Sequence, residues 1–243
     1  MLPQEKPNPL FTRPVRENPR TLAERAYLDL RQDIVHGHLA PGERLRVEHL
    51  KDRYEVGAGT LREALALLVS DALVTAEGQR GYRVSEISLS DLKDLTDTRV
   101  MLETDALRQS IRLGTPLWEV ELAEAFEVLT QAEQQRSGLE PKHWEQANQR
   151  FHEALISAHR SPWSKYLLGI LYRHGERYRH VAIRMGATQA VGRDVHAEHL
   201  SIYQAAIARQ EARAALALEA HIRLTCELLT KHHACASESG HVH

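Results

Sequence analysis

The chain has 243 residues, room for one large domain or two modest ones, and its 42% hydrophobic, 26% charged and 5% aromatic content suits an ordinary globular protein rich in helix. A formal net charge of −2 excludes a bulk polyelectrolyte binder, so any contact with nucleic acid has to come from a local patch. There is no bilayer-length apolar run and no secretory signal, and the two cysteines build no disulfide framework, which together point to the cytoplasm and away from a membrane.

Residues 1–20, MLPQEKPNPLFTRPVRENPR, are Pro-rich and polar and read as a flexible arm. A first helix fits Leu22 to about His36, with Tyr27, Leu30 and Ile34 at three- and four-residue spacing and Gly37 placed to end it. APGERL is a turn, and Val47 to Tyr54 fits a second, short helix. EVGAG breaks the pattern, and a third helix fits Thr60 to about Asp71, with Leu61, Leu65 and Leu68 on one side. LVTAE and YRVSE, β-prone runs around GQRG, suggest a hairpin. Three helices and a hairpin over residues 21–86 outline a winged helix-turn-helix. Ser88 or Ser90 then offers an N-cap for a new helix. Residues 87–234 carry only helical patterns, about six helices broken near LGTP, SGLEP, HRSP and GATQAVGR. Residues 235–243 read as a disordered tail. The expected fold is mainly α: a winged helix-turn-helix, then an all-helical effector-binding and dimerisation domain.

A helix-turn-helix lays its second helix in the major groove with the N-terminal residues leading. Here those residues are GAGTLREA. Thr60 can reach a phosphate or a base edge, and the Arg62 guanidinium can give guanine two parallel hydrogen bonds. Gly57 and Gly59 remove side chains where a duplex backbone would approach, or else serve only the turn. The hairpin tip Gln79-Arg80-Gly81 suits a narrow minor groove, and Arg46 suits a phosphate. The alternative for Arg62 is an ordinary surface pair with a carboxylate. Acidic residues roughly balance basic ones in this domain, so two copies are needed to double the phosphate contacts, which implies a homodimer on operator DNA.

YLDLRQDIVHGHLAPGERL, LREALALLVSDALV and GQRGYRV resemble the DNA-binding domain of the GntR family of bacterial transcription regulators. The helical remainder resembles the FadR branch of that family, which carries the FCD effector domain. VGAGTLREAL and QRGYRV are most similar to its carbon-starvation-induced (CsiR-like) type. The resemblance implies a ligand-responsive regulator, a repressor by expectation. Many relatives carry Ser-Arg before the recognition helix where this chain has Gly57-Ala58, so a base-contacting arginine is missing and their operators do not transfer.

Fifteen histidines raise the question of which converge. NQRFHEAL places Asn148 and His152 four apart on one helical face; HAEHLSIYQAAI offers His196 and His199; LEAHIRL offers His221. Three neutral imidazoles from facing helices suit zinc, nickel or copper, although each alone is equally an ordinary hydrogen-bonded boundary residue. The resemblance implies a metal held by an Asp and three His, which map onto position 148, His152, His199 and His221. Asn148 departs from the family's Asp, and an amide oxygen is a poorer donor to a divalent cation. Open coordination positions would accept the carboxylate of a small acid. Arg99, in DTRVMLE, matches an FCD pattern that faces the cavity; its alternative is a pair with Glu103. Tyr178 or Arg177 would line the same pocket, and His174, His180, His232 and His233 read as surface. The competing function is a metal-dependent enzyme on the histidine bundle. Against it, HAEHL lacks H-E-x-x-H spacing, and no phosphate loop or nucleophile elbow occurs.

Overall fold

A computed structural model describes residues 19–135, 141–184 and 193–239, apart from the side chains of residues 79, 141, 142 and 232–239. The proposed arm over residues 1–18, the SGLEP break, most of GATQAVGR, and His241 and His243 lie outside the described residues. The chain divides into two compact units, Met1–Ser88 with Lys165–Val181 and Leu89–Ser164 with Ala182–His243. No helix among the described residues is long and apolar enough to cross a membrane.

In the first unit, α1 spans Leu22–His36. The Thr21 hydroxyl accepts from Glu24 N–H at its start. At its end Gly37 takes φ 74°, a left-handed conformation glycine enters without a Cβ penalty, and its N–H donates to Ile34 O. Strand β1 is Arg44–Leu45, α2 is Val47–Arg53, and α3 is Ala58–Ser70. Strands β2, Val74–Ala76, and β3, Tyr82–Val84, form the expected hairpin. The sheet is antiparallel in the order β1-β3-β2, with Arg44 opposite Arg83 and Ala76 opposite Tyr82. The first strand, within a segment expected to be a turn, gives the wing its third member. Leu30 and Ile34 of α1, Leu50 of α2, and Leu61, Ala64, Leu65 and Leu68 of α3 close one core with Leu73 and Val84. Each fully buried leucine there contributes on the order of 2 kcal/mol by leaving water.

In the second unit, α4 is Leu89–Leu113, α5 Pro116–Gln134 and α6 Pro141–Leu155. Helix α7, Pro162–Arg184, supplies residues Lys165–Val181 to the first unit instead. Helix α8 is Val195–Ile207 and α9 is Glu211–Ser239, which continues past the point where the sequence suggests a frayed end. Trp118, Leu122 and Leu129 of α5 pack with Phe151 and Leu155 of α6 and with Ile202, Ala205, Ala206, Leu218 and Ile222 of α8 and α9. Small residues at 205, 206 and 214 let α8 and α9 approach closely. Cys226 is a free, half-buried thiol.

Two histidines expected at the surface are structural members of the first unit. His174 Nε2 lies 2.9 Å from the carbonyl of Asp71, and His180 is buried with its ring 4.5 Å from that of His36. Their neighbours are supplied by segments about a hundred residues or more distant in the chain, which local patterning does not reveal.

Candidate DNA interface and histidine centre

Helix α3 begins two residues before the expected Thr60, with Gly57 as its N-cap at φ −68° and Leu61 N–H donating to Gly57 O. Four buried residues, Leu61, Ala64, Leu65 and Leu68, hold one face in the core, so the opposite face is turned out. Gly57, Gly59 and Arg62 are exposed, and Thr60 is half-buried. A Cβ added at Gly57 or Gly59 would meet nothing within 4 Å, and neither residue has positive φ. The fold itself therefore does not call for glycine at either position. The Arg62 side chain makes no hydrogen bond or salt bridge with the described residues, and neither do the exposed side chains of Arg44, Arg46 and Arg80. The carboxylate pair considered for Arg62 is absent: the nearby Glu48 pairs with Lys51 at 2.7 Å.

The wing tip is a single 3-10 turn, Gly78–Arg80, closed by Glu77 N–H donating to Gly81 O at 2.8 Å. Gly81 adopts φ 94°, ψ −136°, a conformation close to glycine-only, so its backbone role alone accounts for the residue. Arg83 braces the hairpin through Nε to Glu77 Oε1 at 2.6 Å and NH1 to the Gly42 carbonyl at 2.5 Å. That leaves Arg80, not Arg83, as the wing's projecting cation. The Gln79 side chain lies outside the described atoms.

In the second unit, His152 of α6, His199 of α8 and His221 of α9 bring one ring nitrogen each to within 4.8 Å of one another. Ring centroids are 5.8 Å apart for His152 and His199, 5.2 Å for His152 and His221, and 4.6 Å for His199 and His221. Three carboxylates stand behind the rings: Glu133 and Glu198, which the sequence reading missed, and Glu103, which it weighed only as a partner of Arg99. Glu133 Oε1 of α5 receives His199 Nδ1 at 2.7 Å, and Glu198 Oε2 receives His221 Nδ1 at 2.7 Å. Glu103 Oε2 lies 3.8 Å from His152 Nδ1, while its Oε1 accepts from Arg99 Nε at 2.8 Å. A carboxylate on Nδ1 fixes the Nδ1–H tautomer and turns the Nε2 lone pair inward. His199 Nε2 is buried and has no hydrogen-bond partner among the described residues. His196 shares Glu133 but is half-buried beside Phe126, outside the group of three. Asn148 is 2% exposed, one turn before His152 on α6.

Burial pushes His152 down to about 4, against the pull of Glu103, and lowers His221 well below the ordinary imidazole value, reinforced by the neighbouring His199 and His152. Burial alone would raise Glu103, but the Arg99 guanidinium and the His152 ring outweigh it and hold the carboxyl at about 2. The His152 and His221 imidazoles are therefore neutral at pH 7, the state a metal requires. Two of the carboxylates, Glu103 and Glu133, are held below the usual range and ionised. In the unfolded chain a histidine titrates near 6.5. Between that value and about 4, the unfolded state binds protons that folded His152 refuses, so stability falls as pH falls through this window. Chelator-stripped protein is expected to lose about 1.4 kcal/mol per pH unit for each of His152 and His221 below about pH 6. Thermal melts that stay level between about pH 7 and pH 5 would contradict this.

The model for "Bacterial regulatory proteins, gntR family" matches residues 22–84, and the "FCD domain" model matches residues 94–224. The chain belongs to the GntR family and carries an FCD domain. The regulator is 45% identical over 209 residues to the uncharacterized HTH-type transcriptional regulator BphR of Paraburkholderia xenovorans (strain LB400), covering 84% of each chain. It is 32% identical over 198 residues to the HTH-type transcriptional repressor GlaR of Escherichia coli (strain K12), covering 81% of this chain and 90% of that one. The solved structure of E. coli McbR/YncC shares the fold, with a TM-score of 0.70 at 22% identity over 88% of this chain and 99% of that one. These relatives are DNA-binding regulators, and the metal-dependent enzyme reading is set aside with them.

The Tyr178 hydroxyl accepts from Ser88 N–H at 3.1 Å and donates to Ser88 O at 3.0 Å, within the first unit. Arg177 is likewise spent on the main chain, donating to Ser85 O at 2.7 Å. Arg99 does belong with the histidines, and the pair with Glu103 weighed against its ligand role is also present.

Proposed function

We propose that the regulator is a repressor that acts as a homodimer in the cytoplasm. It reads operator DNA through the leading end of α3 and the wing. Its grip is set by a small carboxylic acid bound at the histidine centre. The observation that carries the DNA contact is the exposed end of α3, where the Arg62 side chain makes no hydrogen bond or salt bridge with the described residues and a Cβ at either glycine would meet nothing. Arg62 reads a base edge, Thr60 a base edge or phosphate, Arg46 a phosphate and Arg80 the minor groove. Arg44, exposed on β1, adds a phosphate contact that the sequence reading did not single out. The name of GlaR, a repressor, supports the sign of control.

The histidine centre suits a divalent transition metal, zinc or nickel, because burial keeps His152 and His221 neutral and carboxylates back Nδ1 of His199 and His221. His152, His199 and His221 would hold the ion, with the Asn148 amide oxygen as a weak fourth donor. Such an ion supplies a Lewis-acidic anchor for a carboxylate. Arg99 would complete recognition with a charge-assisted hydrogen bond to the same acid. Ligand occupancy changes DNA binding only through a difference in affinity between two states, and a tenfold effect needs about 1.4 kcal/mol of coupling.

A gel shift against DNA from the gene's own upstream region tests the reading. With Arg44 and Arg46 from two protomers neutralising about four phosphates, the log–log salt slope is expected near about −4. A slope near zero would exclude this interface. In a thermal-shift screen, a saturating short dicarboxylate is expected to raise the melting temperature by about 5 °C or more, and Arg99→Lys to lose most of that rise. A broad panel of acids with no shift would remove the small-acid effector.

A further inference from the structure

The first unit holds a second group of ligating side chains. His36, in the last turn of α1, meets Glu176 and His180 of α7, and one ligand atom from each lies within 4.8 Å of the other two. The His36 and His180 rings are 4.5 Å apart at an interplanar angle of 62°. Glu176 and His180 stand four residues apart, one turn along the same face of α7. His180 is buried, while His36 and Glu176 are half-buried, so a hydrated ion can enter. Gly37 ends α1 directly after His36, and the carbonyl end of a helix favours a cation. His38 lies close by, its ring 6.0 Å from that of His36 and its Nδ1 3.0 Å from Asp33 Oδ1, the orientation that leaves Nε2 to coordinate.

We infer that His36, Glu176 and His180 form a second divalent-metal site that fastens α1 of the reading head to α7. Two imidazoles and a carboxylate on two helices, with an open fourth position, are a donor set for zinc. His38 or water fills that position. Helix α1 packs directly behind α3, sharing the core built on Leu30, Ile34, Leu61 and Leu65, so a metal here stiffens the support of the recognition helix. The site is independent of the histidine centre on α6, α8 and α9, and either can exist without the other.

The test is a metal count by difference. Full-length protein without an affinity tag is stripped with chelator and titrated with Co²⁺, read by absorption and by elemental analysis after desalting. Wild type is expected to bind one equivalent more than His36→Ala or His180→Ala. Glu176→Gln is expected to weaken that same equivalent. Because His180 is buried, His36→Gln serves as the milder variant, with circular dichroism confirming the fold. The equivalent lost with His36 has to survive His152→Ala. Identical stoichiometry in wild type, His36→Ala and His36→Gln overturns the second site, whatever the total. An equivalent lost with His36→Ala but kept in His152→Ala, His199→Ala and His221→Ala supports it even if those three substitutions reveal no metal of their own.

Discussion

Arg62→Ala is expected to abolish specific operator binding while leaving melting temperature and oligomeric state unchanged. The side chain is exposed and pairs with nothing in the described structure, so truncation removes no contact that holds the fold. A bidentate arginine–guanine contact is worth about 1–3 kcal/mol per half-site, and a symmetric dimer loses it twice. Residual affinity should equal that for unrelated DNA, measured in the same gel shift. Gly59→Ala provides a companion result with opposite signs. Within a helix the substitution stabilises by up to about 1 kcal/mol, and the added Cβ meets nothing inside the protein. If the duplex backbone approaches at Gly59, operator affinity falls as stability rises. Unchanged affinity in both variants would place the reading surface elsewhere.

The second large effect concerns the histidine centre. Protein purified without a tag is expected to retain metal by elemental analysis, and His152→Ala, His199→Ala and His221→Ala each to lose it. His199→Ala is the most demanding of the three. It removes the buried Nε2 that has no partner among the described residues, while Glu133 keeps its contact with His196. Metal loading should raise the wild-type melting temperature, and that increment should vanish in all three variants. Asn148→Asp should move the other way, since a carboxylate is the stronger donor for a divalent ion. Wild-type protein with no stoichiometric metal, and no gain from Asn148→Asp, would leave the three histidines as a hydrogen-bonded core.

Much of the reading head is legible in the chain because its signals are local. The apolar spacing through Tyr27, Leu30 and Ile34 marks the body of α1 and Gly37 its end. The start of α3 is misplaced by two residues because Gly57 and Gly59 look like helix breakers. In the structure one is an N-cap and the other sits in the first turn, and an added Cβ at either would meet nothing within the protein. Strand β1, two residues long, carries too little pattern to be seen. The three histidines were singled out by apolar stripes and by family resemblance. Their supporting carboxylates were not, because Glu133 reaches His199 across 66 residues and Glu103 reaches His152 across 49, distances at which spacing carries no information. His180, expected at the surface, is buried by neighbours just as distant in the chain.

The Asp71 grip has a consequence for how this molecule is made. At the end of the recognition helix, Asp71 receives the Tyr27 hydroxyl, the Arg173 guanidinium at 2.6 Å and, at its carbonyl, His174. Two of those three groups come from a stretch translated some hundred residues later. During synthesis, the nascent head waits, incompletely braced, until that stretch leaves the ribosome. A fragment cut at the domain border carries the same handicap permanently, and weak DNA binding by an excised head would reflect a missing strut and not a missing allosteric signal.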